Sequence, residues 1–303
     1  MAPDNPLRRL LIMGGGGFVG GNLSTLALRA GWEVQIADST AREGVPGATW
    51  HALDLTEERA LRALALDLRP HAVVDLAAVA DIDRAERERD RAWAVNVEAA
   101  RTMARACAEL SAACIYASSD AVFAGTAARY AEDDATAPVN WYGHTKVEGE
   151  KAVLAACPSA AVIRLSLVLG FPVTGAGNSF LAGLEAKLKQ GQAVPATPEE
   201  IRTPIDVLTL ASCVLELLDT RFTGVLHLGA TDSIDRYTLT RRAAELIAGR
   251  ADLVVRQEAG PVPAGRAARH RNGILDVGKA RQLLETPLPS VETALHRAIE
   301  ERI

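Results

Sequence analysis

The sequence is poor in aromatic residues, which make up 4% of its 303 residues, whereas hydrophobic residues of all kinds make up 49%. A core built from it therefore depends on Ala, Val, Leu and Ile, a composition typical of helices packed on a parallel sheet. The formal net charge of −5 argues against a nucleic-acid partner, which requires a basic surface. Basic clusters at 84–91 and 266–271 are interleaved with acids or confined to one loop, so the expectation stands.

Long apolar runs, a targeting segment and paired cysteines are also missing. The apolar run at 10–13 is too short for a signal peptide, and no stretch approaches the roughly 18 apolar residues of a membrane span. The four cysteines have no C-x-x-C spacing, and three of them lie in apolar or helical segments, which predicts small buried thiols in a reducing compartment. The histidines are scattered without metal-ligand spacing, so no metal is expected. These features predict a soluble, cytoplasmic protein.

Short apolar segments alternate with segments of helical periodicity in the first half of the chain. Strands are predicted at 7–13, 33–37, 49–53, 72–76, 112–117 and 160–165. Helices are predicted at 18–30, 56–68, 84–110 with a break near Asp90, and 147–156. This alternation predicts βαβ units and an α/β fold with a doubly wound, Rossmann-like parallel sheet.

The rhythm loosens beyond Ser166. Helices are predicted at 179–189, 207–218, 238–248 and 291–303, and a strand at 225–228 is expected to rejoin the main sheet. We expect a dinucleotide-binding domain at 1–165 plus about 203–230, and a smaller, intertwined α/β substrate lobe at 166–202 plus 231–303.

A glycine-rich turn joins the first predicted strand to the first predicted helix. Gly14, Gly17 and Gly20 lie three apart, with Phe18 and Val19 at the start of the helix. Such a turn permits close approach of a pyrophosphate and places it at a helix N-terminus. The sequence therefore predicts a dinucleotide site.

Acidic residues follow the second and third predicted strands. Asp38 is placed to accept hydrogen bonds from a ribose diol and would repel a 2′-phosphate, which favours NAD(H). Arg42 lies close enough in sequence to leave NADP(H) possible. Asp54 and Leu55 are placed to approach the adenine, although Asp54 could equally be a helix N-cap ahead of Thr56.

A second group of polar residues follows the fifth strand. Ser118-Ser119-Asp120 comes at its carboxyl end, on the sheet edge where open α/β sheets bind ligands. Tyr142 and Lys146 are four residues apart, which places both side chains on one helical face. Separately these residues fit a cap, a core phenol and a surface lysine. Together they can converge on a substrate carbonyl.

At these residues the chain resembles the extended short-chain dehydrogenase/reductase family, and within it the dTDP-4-dehydrorhamnose reductases and their relatives. The resemblance covers nearly the whole chain. It rests on Leu76-Ala77-Ala78, Asp83-Arg84-Ala85-Glu86, Asn96-Val97, Ser118-Ser119-Asp120 with Val122-Phe123 and Gly125, Pro138 to Lys146, and Gly177-Asn178-Ser179-Phe180.

The resemblance implies a role for each matching residue. Ser119 takes the place of the catalytic Ser/Thr, Tyr142 that of the acid/base and Lys146 that of its partner, which also holds the nicotinamide ribose. The positions implied in the cofactor site are Ala77, Ala78 and Asn96, the last as a brace of the active site. The positions implied in the substrate site are Ser119, Asp120, Asn178 and Arg202, the last as the grip on a substrate diphosphate.

The implied reaction is hydride transfer between nicotinamide C4 and a carbonyl carbon, with Tyr142 exchanging the proton of the oxygen and Ser119 hydrogen-bonded to that oxygen. Lys146 is expected to lower the pKa of Tyr142 from about 10 towards neutrality, at about 1.4 kcal/mol per unit. The helices at 84–110 and 147–156 could pair with their copies in a homodimer, as in many members of the family.

The resemblance also separates possible reactions. The dehydratases of the family carry an Asp-Glu pair where this chain has Asp120-Ala121, and the C3/C5-epimerising members carry a cysteine at Asp120, so both reactions are disfavoured. Keto-sugar reduction and C4 epimerisation need the same three groups, and the likeness to rhamnose reductases favours reduction. Ala121 and Leu167 depart from those reductases in the sugar pocket, which leaves the sugar open.

A different class of function stays open. The segment 130–153 and the sequence Arg271-Asn272-Gly273-Ile274-Leu275-Asp276 resemble the regulatory β subunit of methionine adenosyltransferase. By that resemblance the chain could bind a dinucleotide as a non-catalytic regulatory subunit.

Overall fold

A seven-stranded parallel sheet forms the centre of the protein. The computed structural model describes residues 8–39, 44–174, 178–258 and 265–302. The strands of the sheet are β1 (Arg9–Met13), β2 (Glu33–Asp38), β3 (Thr49–Ala52), β4 (Ala72–Asp75), β5 (Ala113–Ser119), β6 (Ala161–Leu165) and β11 (Gly224–Leu228). They lie in the order β11-β6-β5-β4-β1-β2-β3, and all neighbours are parallel. The Rossmann-like, doubly wound sheet predicted from the sequence is confirmed, including the return of the late strand β11.

Helices cover both faces of the sheet because its strands are apolar on both sides. They are α1 (Phe18–Arg29), α2 (Glu58–Leu68), α3 (Ile82–Arg87), α4 (Arg89–Trp93), α5 (Ala100–Leu110), α6 (Trp141–Ala156) and α8 (Val207–Thr220). Residues of α1 and α8 pack into the apolar core on one face. Residues of α2, α5 and α6 pack into the core on the other face. The carboxyl ends of the seven parallel strands lie along one edge of the sheet, between these layers.

The long helical region predicted at 84–110 is interrupted twice. The first interruption is at Glu88, between α3 and α4, two residues before the expected break. The second is a π-helical turn, Ala94–Ala99, between α4 and α5. A π-helical turn inserts an extra residue into the helix and often occurs at functional sites. Here it carries Asn96, one of the predicted site residues.

The later residues add a smaller mixed lobe. Its strands pair in small sheets and are β7 (Val168–Leu169), β8 (Val194–Ala196), β9 (Ile201–Arg202), β10 (Ile205–Asp206), β12 (Ile234–Asp235), β13 (Val254–Arg256) and β14 (Asn272–Gly273). Its helices are α7 (Phe180–Lys189), α9 (Arg236–Ala248) and α11 (Val291–Glu300), whereas α10 (Gly278–Leu283) packs Ala280 into the core of the main sheet. Residues of α7, α9 and α11 share a separate apolar core. The domain boundaries given above remain a prediction.

Buried cysteines and the lengths of the helices agree with the sequence. Cys107, Cys114, Cys157 and Cys213 are all buried free thiols. In the described part of the chain, the helices are too short or too polar to cross a bilayer.

Candidate active site

The glycine turn after β1 is shaped so that two of its positions exclude any side chain. Gly14 has a φ of +71°, and a Cβ there would lie 2.8 Å from backbone atoms of Ala77. A Cβ on Gly20 would lie 2.5 Å from the carbonyl oxygen of Gly14. The turn therefore packs backbone against backbone, which leaves its outer surface free of side chains.

The N-terminus of α1 follows this turn and offers backbone amides. Gly17 is the N-cap residue and provides no side-chain hydrogen bond. The amide of Gly21 donates to the carbonyl of Gly17, so the amides of Phe18, Val19 and Gly20 precede the helical hydrogen bonds. Unpaired amides at a helix N-terminus bind phosphate groups well. This cradle fits the pyrophosphate of a dinucleotide.

Asp38 ends β2 beside the turn, as the sequence predicts. Its Oδ2 accepts a hydrogen bond from the Gly16 amide at 3.0 Å, which fixes the carboxylate against the turn. Its Oδ1 has the hydroxyl of Ser39 at 3.5 Å, so this oxygen can still accept from a ribose hydroxyl. Arg42, the residue that left NADP(H) possible, lies outside the described residues.

Asp54 takes up a local structural role after β3. Its Oδ1 accepts from the amide and the hydroxyl of Thr56, and its Oδ2 pairs with Arg91 at 3.0 Å. These bonds, that of Arg91 first, lower the pKa of Asp54 to about 2. The helix N-cap is Glu57, so Asp54 forms a turn before α2 and is not its N-cap. Its role towards an adenine remains a prediction.

The remaining residues of the predicted cofactor edge lie after β3 and β4. The side chains of Leu55 and Ala77 are buried, and Ala78 is half-buried. The amide of Ala77 donates to Oδ1 of Asp75 at 3.0 Å, which shapes the end of β4 under the glycine turn. Contact between these residues and a cofactor remains a prediction.

Asn96 braces the site from the π-helical turn. Its Oδ1 accepts from the Val79 amide at 2.9 Å, and its Nδ2 donates to the hydroxyl of Thr145 on α6 at 2.9 Å. Its backbone carbonyl accepts from the Tyr116 hydroxyl at 2.8 Å. The π-helical turn thereby ties the loop after β4, strand β5 and helix α6 together.

Lys146 is buried against β5. Its Nζ donates to the Ala117 carbonyl at 2.8 Å and lies 3.3 Å from the Tyr116 hydroxyl. Burial lowers the pKa of Lys146 to about 8, although the nearby charges of Asp75 and Glu150 oppose that fall. The ammonium is therefore mostly protonated at neutral pH.

Tyr142 differs from the expectation in its electrostatics. Burial raises the pKa of Tyr142 to about 12, and a hydrogen bond with Ser119 only partly offsets this rise. The expected lowering by Lys146 is not found, because the Lys146 ammonium is directed at Ala117 and Tyr116. The phenol is protonated at neutral pH, a state suited to giving a proton.

Ser119 and Asp120 form a cluster with residues of the smaller lobe. Ser119 Oγ donates to Asp120 Oδ1 at 3.1 Å and accepts from the Ala121 amide. Asp120 Oδ2 accepts from the Ser166 hydroxyl at 3.0 Å and lies 3.5 Å from Nε2 of His270. Burial alone would raise the pKa of Asp120, but His270, Arg202 and Ser166 outweigh burial and hold it at about 2.

Arg202 makes several contacts within the protein, and its grip on a substrate diphosphate remains a prediction. Its guanidinium donates to the carbonyls of Ile201, Arg271 and His270 at 2.8–3.0 Å. Its Nε lies 3.4 Å from Oδ2 of Asp120, and its side chain is 11% exposed. Asn178, the other predicted substrate residue, is exposed just before α7.

Sequence reasoning missed several buried polar residues at this edge. Asp75 is the one charged residue of the strand predicted at 72–76, and this interruption of the apolar pattern is visible in the sequence. Tyr116 gave no signal, since a tyrosine in a buried strand is ordinary. His270 is 3% exposed, and its Nδ1 has no hydrogen-bond partner in the described structure. Its position beside Asp120 depends on tertiary packing.

The fold and this site define a dinucleotide-binding protein of the short-chain dehydrogenase/reductase type. A profile of the family described as RmlD substrate binding domain matches residues 8–303. The chain belongs to that family.

The individual proteins that this chain resembles include reductases and a methionine adenosyltransferase β subunit. The chain is 31% identical to a dTDP-4-dehydrorhamnose reductase of Mycolicibacterium smegmatis over 98% of this chain and 86% of the relative. It is 30% identical to the methionine adenosyltransferase 2 subunit beta of Xenopus laevis over 79% of this chain and 72% of the relative. A solved dTDP-4-dehydrorhamnose reductase of Bacillus anthracis, in complex with NADP, superimposes with a TM-score of 0.84 at 25% identity, covering 97% and 98% of the two chains.

Proposed function

We propose that this protein is an NAD(P)H-dependent reductase of a keto group on a sugar nucleotide, similar in activity to dTDP-4-dehydrorhamnose reductase. The observation that carries the proposal is the proximity of Ser119, at the end of β5, to Tyr142 on α6, with Lys146 one turn further along that helix. The names of the relatives support the same chemistry.

The residues of the chain divide the work of reduction. The glycine turn and Asp38 would hold a nicotinamide cofactor, which would supply a hydride for the carbonyl carbon. Tyr142 gives its proton to the carbonyl oxygen, and its raised pKa keeps that proton in place until the oxygen becomes basic. Ser119 hydrogen-bonds the same oxygen and limits the charge that develops on it. Lys146, whose ammonium lies at the Ala117 carbonyl and the Tyr116 hydroxyl, would hold the nicotinamide ribose, the second role that the resemblance implies for it.

The cofactor proposed is NAD(H), with NADP(H) as the alternative. Asp38 keeps one carboxylate oxygen for a ribose hydroxyl, and its negative charge opposes a 2′-phosphate. A cytoplasmic location is part of the same proposal, because none of the four cysteines is paired as an oxidising compartment would favour.

The test is a screen of NADH and NADPH against nucleotide-linked 4-keto sugars, in which the oxidation of the cofactor is measured by absorbance. Tyr142→Phe should lower turnover at least about 100-fold, because it removes the general acid, and should leave cofactor binding nearly intact. Retention of most of the activity by this variant would refute the mechanism. Interconversion of nucleotide hexoses at C4 without net cofactor consumption would favour the epimerase alternative, which uses the same groups.

A regulatory subunit is the second candidate, favoured by the similarity to the methionine adenosyltransferase β subunit. It predicts a stable complex with a methionine adenosyltransferase on co-purification, together with no oxidation of NAD(P)H by any keto-sugar nucleotide. Turnover without such a complex would exclude it.

A further inference from the structure

Arg236 is the first residue of α9, and its side chain lies against an aromatic ring. Its guanidinium makes no hydrogen bond or ion pair with any residue that the structure describes. Its contact is with the ring of Phe180, whose centroid lies 4.1 Å from the guanidinium carbon. Other inward-facing arginines differ, since Arg164 pairs with Glu150 and Arg202 with Asp120.

Arg236 is also partly withdrawn from water. Burial lowers its pKa, the charge of Glu200 opposes that effect, and the nearby Arg202 adds to it. A guanidinium has five N–H donors, and desolvating it without acceptors is unfavourable. Contact with the face of an aromatic ring recovers part of that cost. An anionic ligand would recover much more.

Arg236 lies beside Glu200 and Arg202 in the smaller lobe. Strand β12 pairs with β9 so that Ile234 lies opposite Arg202, and the Arg236 amide donates to the Glu200 carbonyl at 2.8 Å. Arg202 reaches Asp120, and Asp120 holds Ser119. On the other side, Phe180 begins α7 directly after Asn178 and Ser179. Arg236 therefore lies in the smaller lobe, between α7 and the Asp120 cluster.

The other arginines of this region are already committed. Arg202 gives its donors to three backbone carbonyls and faces Asp120. Arg269 pairs with Asp83 at 2.7 Å. Neither guanidinium can take a ligand phosphate without breaking hydrogen bonds or ion pairs within the protein, whereas Arg236 makes no such bond in the described structure.

We propose that Arg236 is a substrate-binding residue that takes the diphosphate of a nucleoside-diphosphate ligand. A planar guanidinium binds phosphate oxygens in a bidentate manner, and Phe180 holds its plane in place. This assignment rests on the proposed function for the identity of the ligand. It moves the diphosphate grip from Arg202, where the sequence placed it, to Arg236.

The experiment measures binding of dTDP, UDP and thymidine by calorimetry to protein saturated with NADPH or NADH, which occupies the glycine turn. Arg236→Met keeps the length of the side chain on Phe180 and removes the charge. The substitution should weaken the binding of dTDP and UDP about 10- to 100-fold and leave the binding of thymidine unchanged. Arg236→Lys should recover part of the loss. The matched control is Arg241→Met, an exposed arginine on the same helix, which should bind as the unaltered protein does.

The outcomes separate this assignment from the proposed function. Unchanged dTDP and UDP affinity in Arg236→Met would overturn the assignment and leave the reductase proposal standing. Weakened affinity in that variant, with no keto sugar reduced by the unaltered protein, would support the assignment and refute the reductase. A complete lack of nucleoside-diphosphate binding by the unaltered protein would overturn both. Equal thermal midpoints and cofactor affinities show that the variants are folded.

Discussion

Replacement of Asp75 by asparagine should make the protein more stable at neutral pH while harming the catalytic site. Asp75 is 4% exposed at the end of β4. Its Oδ1 accepts from the Ala77 amide, but its Oδ2 has no hydrogen-bond partner in the described structure. Burial raises the pKa of Asp75 from 3.8 to about 6, although Lys146 and the Ala77 amide oppose that rise. The fold therefore disfavours the ionised carboxylate.

The size of the effect follows from the shift in the pKa of Asp75. The rise of roughly two units corresponds to about 3 kcal/mol. Below pH 3.8 the group is protonated in the folded and unfolded chains, so no penalty exists. The penalty grows as the pH rises, because the unfolded chain loses the proton first, and it is complete above about pH 6. Asp75→Asn should thus gain up to about 3 kcal/mol at pH 8 and about 1 kcal/mol at pH 4.5.

The same substitution should change the pH dependence of turnover. Asp75 and Glu150 both raise the pKa of Lys146, which burial lowers to about 8. Without the charge of Asp75, the pKa of Lys146 falls further, and the ammonium is lost at a lower pH. The alkaline limit of kcat should therefore move to lower pH in Asp75→Asn.

Urea unfolding at pH 4.5 and pH 8 measures the stability, and kcat against pH measures the shift. The matched control is Asp206→Asn, because Asp206 is equally buried but accepts from the amide and hydroxyl of Thr209. That substitution should destabilise the protein at pH 8. The reasoning about Asp75 is refuted by a loss of stability at pH 8, or by a gain of equal size at both pH values.

Two further predictions concern the cofactor and the assembly. Asp38→Ala should weaken the binding of NADH by about tenfold and the binding of NADPH by less, because only NADH has a ribose diol that loses a charged acceptor. Equal losses of affinity in a fluorescence titration would mean that Asp38 does not reach the ribose. A homodimer through 84–110 and 147–156 predicts twice the chain mass by light scattering at micromolar concentration, and Lys151→Glu, exposed on α6, should weaken it. A monomer would remove this interface.

Most of the fold could be predicted because it depends on local patterns. The strand, glycine turn and helix at 9–29 follow from apolar periodicity and from the spacing of Gly14, Gly17 and Gly20, which are local features of the sequence. Short strands such as Ile201–Arg202 and Asn272–Gly273 could not be predicted. Two-residue strands have no periodicity, and they form only when the chain brings their partners together.

In the candidate site, the positions of the residues could be predicted from the sequence, but their interactions could not. Ser119 and Tyr142 follow from the sheet edge and the helix start. The pKa of Tyr142 does not, since it depends on burial and on where the Lys146 ammonium bonds. The role of Arg202 depends on carbonyls 68 and 69 residues away in the chain, at His270 and Arg271. Spacing within one helix indicates which groups are near each other, but long-range contacts determine which partner each group keeps.

Charge balance at the site connects the catalytic cluster to the substrate. Asp120 stays ionised, so the positive charge of Arg202 is largely offset before any ligand arrives. Glu200 adds a second negative charge 3.8 Å from Arg202. A sugar nucleotide brings two further negative charges, and these would be repelled unless another cation faced them. Arg236 is a cation of the same lobe that forms no ion pair in the described structure, so it would offset part of this repulsion if the ligand is a nucleoside diphosphate.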